Sequence, residues 1–242
     1  MPDLRTTAAT TTPTPASTTR LRRLAAVSLT AAALLAAAGF TALGSVFHYP
    51  QVLAEPTEAV LALHRQHQGA VSAWFGVLVV GAALLAPAAV ALGRLAGGTR
   101  GRWITVVGIA AAVVQVVGLS RWVLLVPGLA RDGSASAQHT FELLGFWLGQ
   151  MIGETLGYAL TAVFTVLVAV GFARWLAVSG CVAAALVATG VLVPLGVDLA
   201  RLTNFAGYVV WCVWLLAVSV ALWRGGVTSR TAATAPRSTG PR

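Results

Sequence analysis

An all-α bundle of six membrane-spanning helices, with both termini in the cytoplasm, is the fold class this sequence predicts. Three observations carry it. First, the 242 residues are 57% hydrophobic and only 10% charged, with a mean hydropathy of +0.82. A soluble domain carries about 25% charged residues, so these charges are too few to cover a globular surface. Second, several apolar runs approach about 20 residues, the length that crosses roughly 30 Å of hydrocarbon. Third, the charges lie just outside those runs, where topology determinants sit.

The elements follow in order. Residues 1–23 begin MPDLRTTAATTTPTPASTTR and lack the large apolar residues of a core. They read as a disordered tail. The run 24–47 follows the basic LRR at 21–23. It exceeds a usual signal-peptide core, which favours a first membrane helix over a cleaved signal. Further spans are expected at 70–92, 103–126, 155–173 (with a helical lead-in from 141), 176–197 and 205–223. The polar segment 224–242 reads as a second tail. Pro87 and Pro194 fall inside spans two and five, where they kink a helix and leave carbonyls for neighbours to satisfy.

All sixteen basic residues are Arg. Six spans place twelve of them on one side: Arg5, Arg20, Arg22, Arg23, Arg94, Arg100, Arg102, Arg174, Arg224, Arg230, Arg237 and Arg242. Arg65, Arg121, Arg131 and Arg201 fall on the other. The bias assigns both termini to the cytoplasm, and its agreement at every loop favours six spans over five or seven. Arg without Lys suggests a GC-rich genome and a bacterial plasma membrane. The same placement turns the net charge of +9 away from nucleic acid and towards a lipid bilayer. Trp103, Trp175 and Trp223 are expected at the cytoplasmic interface, and Trp74 and Trp122 at the outer one. Cys181 and Cys212 lie at different depths, which gives no disulfide framework.

The acidic residues and histidines gather on the outer side. Counting from the cytoplasmic edge at about 1.5 Å per residue, Arg121 lies near 27 Å, Glu154 and Asn204 near 30 Å, and Asp198 near 33 Å. These four form one expected layer, as an ion pair or as the lining of a ligand-binding vestibule, since intramembrane ionisable residues need partners. His64 and His67 share a helical face, and with Glu58, Glu142 or His139 they are the one set suited to a divalent metal. No GxSxG, P-loop, GxGxxG, HExxH or CxxC occurs, so no cofactor is called for and an enzyme is disfavoured.

The stretch GFWLGQMIGETLGY sets Gly145, Gly149, Gly153 and Gly157 four apart. Each Gly costs about 1 kcal/mol in a helix, so the stripe reads as a seam for close helix packing. At about 100° per residue, Glu154 lies beside the seam while Trp147, Leu148, Met151, Thr155 and Tyr158 occupy the opposite half.

The segments GLSRWVLLVPGLA (118–130), GQMIGETLGYALTA (149–162) and NFAGYVVWCVWLLAVSVAL (204–222) resemble a family of uncharacterised bacterial multi-pass membrane proteins, designated domain of unknown function 4386. The likeness rests on Arg121, Trp122 and Pro127, on Gly153, Glu154, Gly157 and Tyr158, and on Trp211 and Trp214, and it spans roughly residues 70–223. It implies a helical bundle and directs attention to Arg121 and Glu154, without supplying a substrate.

Three functions compete. The first is a binding, sensory or accessory protein whose outer vestibule takes a small ligand, a lipid or a membrane-protein partner. The second is a transporter of small molecules or ions, for which the midplane offers only Gln115, Thr165 and Thr189, with Pro87 as a break. The third is a metal-assisted enzyme using His64, His67 and Glu154 at the outer face.

Overall fold

The computed structural model describes residues 15–225. Among them there are helices and turns and no strands. Six helices are long and apolar enough to cross a membrane: Pro15–Phe47, Gln68–Ala96, Gly98–Asp132, Ala135–Ala169, Arg174–Leu195 and Leu199–Trp223. They are numbered here as spans one to six, and this is a multi-pass membrane architecture. A short helix, Thr57–Gln66, lies between spans one and two.

Each span packs on its neighbours in sequence, and span six returns to span one. The bundle is thus a closed ring of six. Arg22 at the start of span one reaches Gly225 beyond span six, so the two described termini share one end. That end is called the terminal end; the other, covered by Thr57–Gln66, is the cap end.

The boundaries differ from the expected ones at spans three and six, which begin at Gly98 and Leu199, and more widely in two places. Span one begins at Pro15, not at residue 24. Leu21 packs against the core, and Thr19 bonds back to the Pro15 carbonyl at 3.2 Å, so the helix runs past the apolar segment. Residues 15–23 are therefore helical; the rest of that expected tail, and 226–242, lie outside the described residues. Span four is continuous from Ala135, so residues 141–154 belong to it. Ser134 caps its start by accepting the Ala137 N–H at 3.1 Å, as N-cap serines do.

The terminal half is close-packed. Its core joins Ala25, Ala26, Ala32 and Ala33 of span one to Ala88, Ala89 and Ala91 of span two, and larger side chains from spans three to six fill the centre. Small residues let the backbones approach. A Cβ on Gly207 would stand 2.7 Å from the Leu186–Val187 peptide, and one on Gly180 would stand 2.7 Å from the Trp214 indole. Trp214 Nε1 donates to the Leu176 carbonyl at 2.9 Å, and Trp211 Nε1 to Thr165 Oγ1 at 2.8 Å. Trp103, Trp175 and Trp223 stand exposed at this end.

The cap half is built differently. Leu43, Phe47, Phe75, Leu78, Trp122 and Val126 form a second core between spans one to three and the cap helix. Spans four to six contribute no buried residue to it. Three helices also leave α geometry at this level. Span three breaks at Leu125, before Pro127. Residues Gly145–Leu156 of span four form a π-helix of 12 residues. Span five tightens to a 3-10 helix over Thr189–Leu195, around Pro194. π segments are rare and mostly single turns, so one of this length marks the site.

Candidate functional site

The glycine stripe of span four lies along span three. A Cβ on Gly153 would stand 2.8 Å from Gly118 Cα, and one on Gly157 would stand 3.3 Å from Gln115 Cγ. A Cβ on Gly149 would overlap the guanidinium of Arg121. Residues 115, 118 and 121, one helical turn apart, thus face 157, 153 and 149. Gly145 has no atom within 4 Å of a built Cβ and stands outside this contact. The missing side chain at 149 makes a notch, and Arg121 fills it.

Arg121 is 7% exposed. Its Nε is buried without a hydrogen-bond partner, and its guanidinium makes no hydrogen bond or ion pair among the described residues. Its one directed contact is with the neighbouring Trp122 ring, whose centroid lies 5.4 Å from Cζ. Glu154 is half-buried and shares an electrostatic environment with Arg121 and with the exposed Arg201 of span six. Among the described residues no carboxylate oxygen lies within 4.0 Å of the Arg121 nitrogens. The two charges face each other across a gap instead of forming a direct ion pair.

The three tyrosines of the chain converge on that gap. Tyr49 follows span one, Tyr158 lies one turn along from Glu154, and Tyr208 belongs to span six. Tyr158 and Tyr208 meet edge-on at 5.6 Å between centroids, and Tyr49 meets Phe75 at 5.5 Å. Burial and the Glu154 carboxylate push the Tyr49 hydroxyl well above its ordinary value, and Arg121 opposes them. The Tyr49 phenol is therefore a neutral donor. Glu154 and the three tyrosines keep part of their surface accessible although the helix ring surrounds them. The region they share is called the vestibule.

From the vestibule a polar ladder runs down span four. Gln115 Nε2 donates to Thr161 Oγ1 at 2.9 Å, and Thr165 Oγ1 to the Thr161 carbonyl at 2.7 Å. It ends where Trp211 donates to Thr165, roughly 15 Å below Glu154. Beyond it lies the apolar terminal core.

The cap helix is pinned over this region. Thr57 Oγ1 donates to Glu142 Oε1 at 2.9 Å, and an Arg65 guanidinium nitrogen to the Ala130 carbonyl at 3.1 Å. Between these ends His64 is fully buried, stacked on Trp122 at 6.0 Å and edge-on to Phe47 at 6.2 Å. Neither ring nitrogen has a hydrogen-bond partner in good geometry, the nearest polar group being the Trp122 backbone. Burial pushes the His64 pKa down, so the ring is held neutral.

Other expected residues are placed otherwise. Trp122 is 1% exposed, at the centre of the aromatic cluster, and does not mark an interface. Asn204 is buried and donates to the Val187 carbonyl at 2.7 Å, so its amide ties span six to span five. Asp198 begins the helix of span six; its side chain lies outside the described residues. Glu58 and His139 are exposed, and no three His, Cys, Asp or Glu side chains assemble as metal ligands among the described residues. The metal set is therefore not brought together.

Tyr49 and Tyr208 had no sequence signal beyond the scarcity of tyrosine. The expected division of this helix into two halves passes between Glu154 and Tyr158, although residues four apart share a helical face. A π turn holds more than four residues, so a four-residue step falls just short of a full turn instead of just past it, and Tyr158 stays in line with Glu154. No protein-family model, curated protein or solved structure matches the chain.

Proposed function

We propose that this membrane protein binds a small polar ligand in the vestibule and acts as a binding, sensory or accessory component. The single observation that carries the reading is Arg121. A guanidinium has five donors, and a buried one without partners is costly. Here it is held in a glycine notch, beside a carboxylate it does not touch and an accessible space. Buried unsatisfied groups of this kind are met by water or ligand. The Arg bias supports cytoplasmic termini, which puts the vestibule on the extracytoplasmic side, and Arg without Lys supports a bacterial plasma membrane.

Accessibility tests the reading. With Cys181 and Cys212 replaced by Ala, a Glu154→Cys variant should react in intact cells with a membrane-impermeant maleimide. Labelling only after lysis would overturn the orientation, and no labelling in either case would overturn the vestibule.

A second reading, a transporter, is favoured by one observation. Spans three, four and five all leave α geometry around the vestibule, and the polar ladder descends from it towards the packed half. Discontinuous helices around a polar site are common in carriers. Uptake of a vestibule ligand into proteoliposomes would establish it; binding without flux would leave the first reading in place.

A further inference from the structure

We infer that the vestibule ligand is a small zwitterion, its anionic group on Arg121 and its ammonium beside Glu154; this rests on the vestibule reading above. Three features select that class. Arg121 is 7% exposed, with Nε sealed and no partner among the described residues, so its site calls for an oxyanion. Carboxylate and phosphate both suit the guanidinium fork. Glu154 does not fill that role, because no ion pair forms between them. The guanidinium is seated against Gly149, one turn from Glu154.

Charge balance then excludes the simpler ligands. A lone anion on Arg121 would be repelled by the Glu154 carboxylate, the exposed Arg201 being the weaker of the two cations that act on that group. A lone cation on Glu154 would leave the buried guanidinium unmet. A molecule carrying both charges satisfies both groups and bridges the gap that separates them.

The tyrosines fit the same ligand. Tyr49, Tyr158 and Tyr208 bring three rings to the Glu154 side, with the Tyr158 and Tyr208 planes inclined at 62°. Inclined aromatic faces beside a carboxylate attract ammonium groups. The Tyr49 hydroxyl, which Arg121 also influences, supplies a donor for the oxyanion. A free amino-acid-like molecule and a phosphoethanolamine headgroup share this chemistry.

The experiment uses the full chain in an uncharged maltoside detergent. Glycine, taurine and phosphoethanolamine are titrated against the matched single-charge probes acetate, methyl phosphate and ethylammonium, with binding read by thermophoresis. At least one zwitterion should bind about tenfold or more tightly than every single-charge probe, the scale of losing one charged hydrogen-bonded group. E154Q and Gly149→Ala should each weaken it by a similar factor. Gly149→Ala displaces the guanidinium without removing it, so its effect does not depend on an Arg121 variant folding.

Suppose instead that acetate or methyl phosphate binds as tightly as any zwitterion, and E154Q preserves or tightens that binding. The zwitterion inference then falls while the vestibule reading stands. If no probe binds in a Gly149-dependent way, both fall. The source is read in nanodiscs. An E154Q-sensitive thermal shift in phosphatidylethanolamine but not phosphatidylglycerol assigns the headgroup; equal midpoints with binding of soluble probes assign a free molecule.

Discussion

The two halves of the bundle use small residues to opposite ends. In the terminal half, Gly108, Gly180 and Gly207 are filled against by Ala89 and Phe164, by the Trp214 ring, and by the span-five backbone. There the absent side chain brings helices together. In the cap half, Gly149 admits a charged side chain into the helix interface. There the absent side chain makes room for function. The polar groups differ in the same way. Trp211, Trp214, Thr161 and Thr165 are satisfied by protein atoms at 2.7–2.9 Å. Arg121 and His64 are not. One half meets these polar groups with protein atoms, while the other leaves Arg121 Nε and His64 without partners among the described residues.

The comparison can be broken most directly in the packed half. Gly207→Val drives a branched side chain into the Leu186–Val187 backbone, which cannot yield as a side-chain tip would. A loss of about 3 kcal/mol is expected, read as a lower thermal midpoint in detergent. Trp211→Phe should cost about 1–2 kcal/mol, because it removes a buried donor from Thr165 as well as ring volume. Tolerance of both changes would show that this half is not close-packed around these residues.

The next test concerns the cap. His64 is neutral when buried, and its folded pKa is depressed. The released ring therefore takes up a proton more readily than the packed one. Cap stability should be full above the ordinary histidine value of about 6.5 and fall as pH drops below it. Proteolytic or hydrogen-exchange protection of residues 57–66 reports this. His64→Phe should remove the acid dependence, and an unchanged pH profile would show that another group sets it.

The smallest effect is expected where the charges do not touch. Without ligand, Glu154→Gln should shift stability by less than about 1 kcal/mol, and its cycle with Arg121→Gln should show coupling under about 1 kcal/mol. A larger coupling in the empty protein would mean that the two groups make a structural ion pair.

What the sequence made legible follows from what burial and periodicity encode. The six candidate spans are legible because long apolar runs report the bilayer directly. Arg121 and Glu154 could be set at one depth by counting along helices. The gap between them could not, since it depends on the approach at Gly118 and Gly153. Trp122 misled because an interfacial tryptophan and one under a cap helix look alike in sequence. Tyr49 carries no sequence signal for a different reason: it lies in a connection, and only the ring closure turns that connection towards Glu154. Tyr158 stands with Glu154 because residues four apart share a face, which a division of the helix into two halves conceals.

That π segment has a mechanical consequence. It winds its residues into fewer, wider turns than an α-helix would, so span four carries a reserve of length. Returning even one turn to α geometry would extend the helix and swing Glu154 and Tyr158 around its axis. Gly118 and the Arg121 backbone belong to another helix, so Glu154 would shift relative to them. The distance between the two charges can therefore be set by the pitch of one helix, with no movement of the packed half.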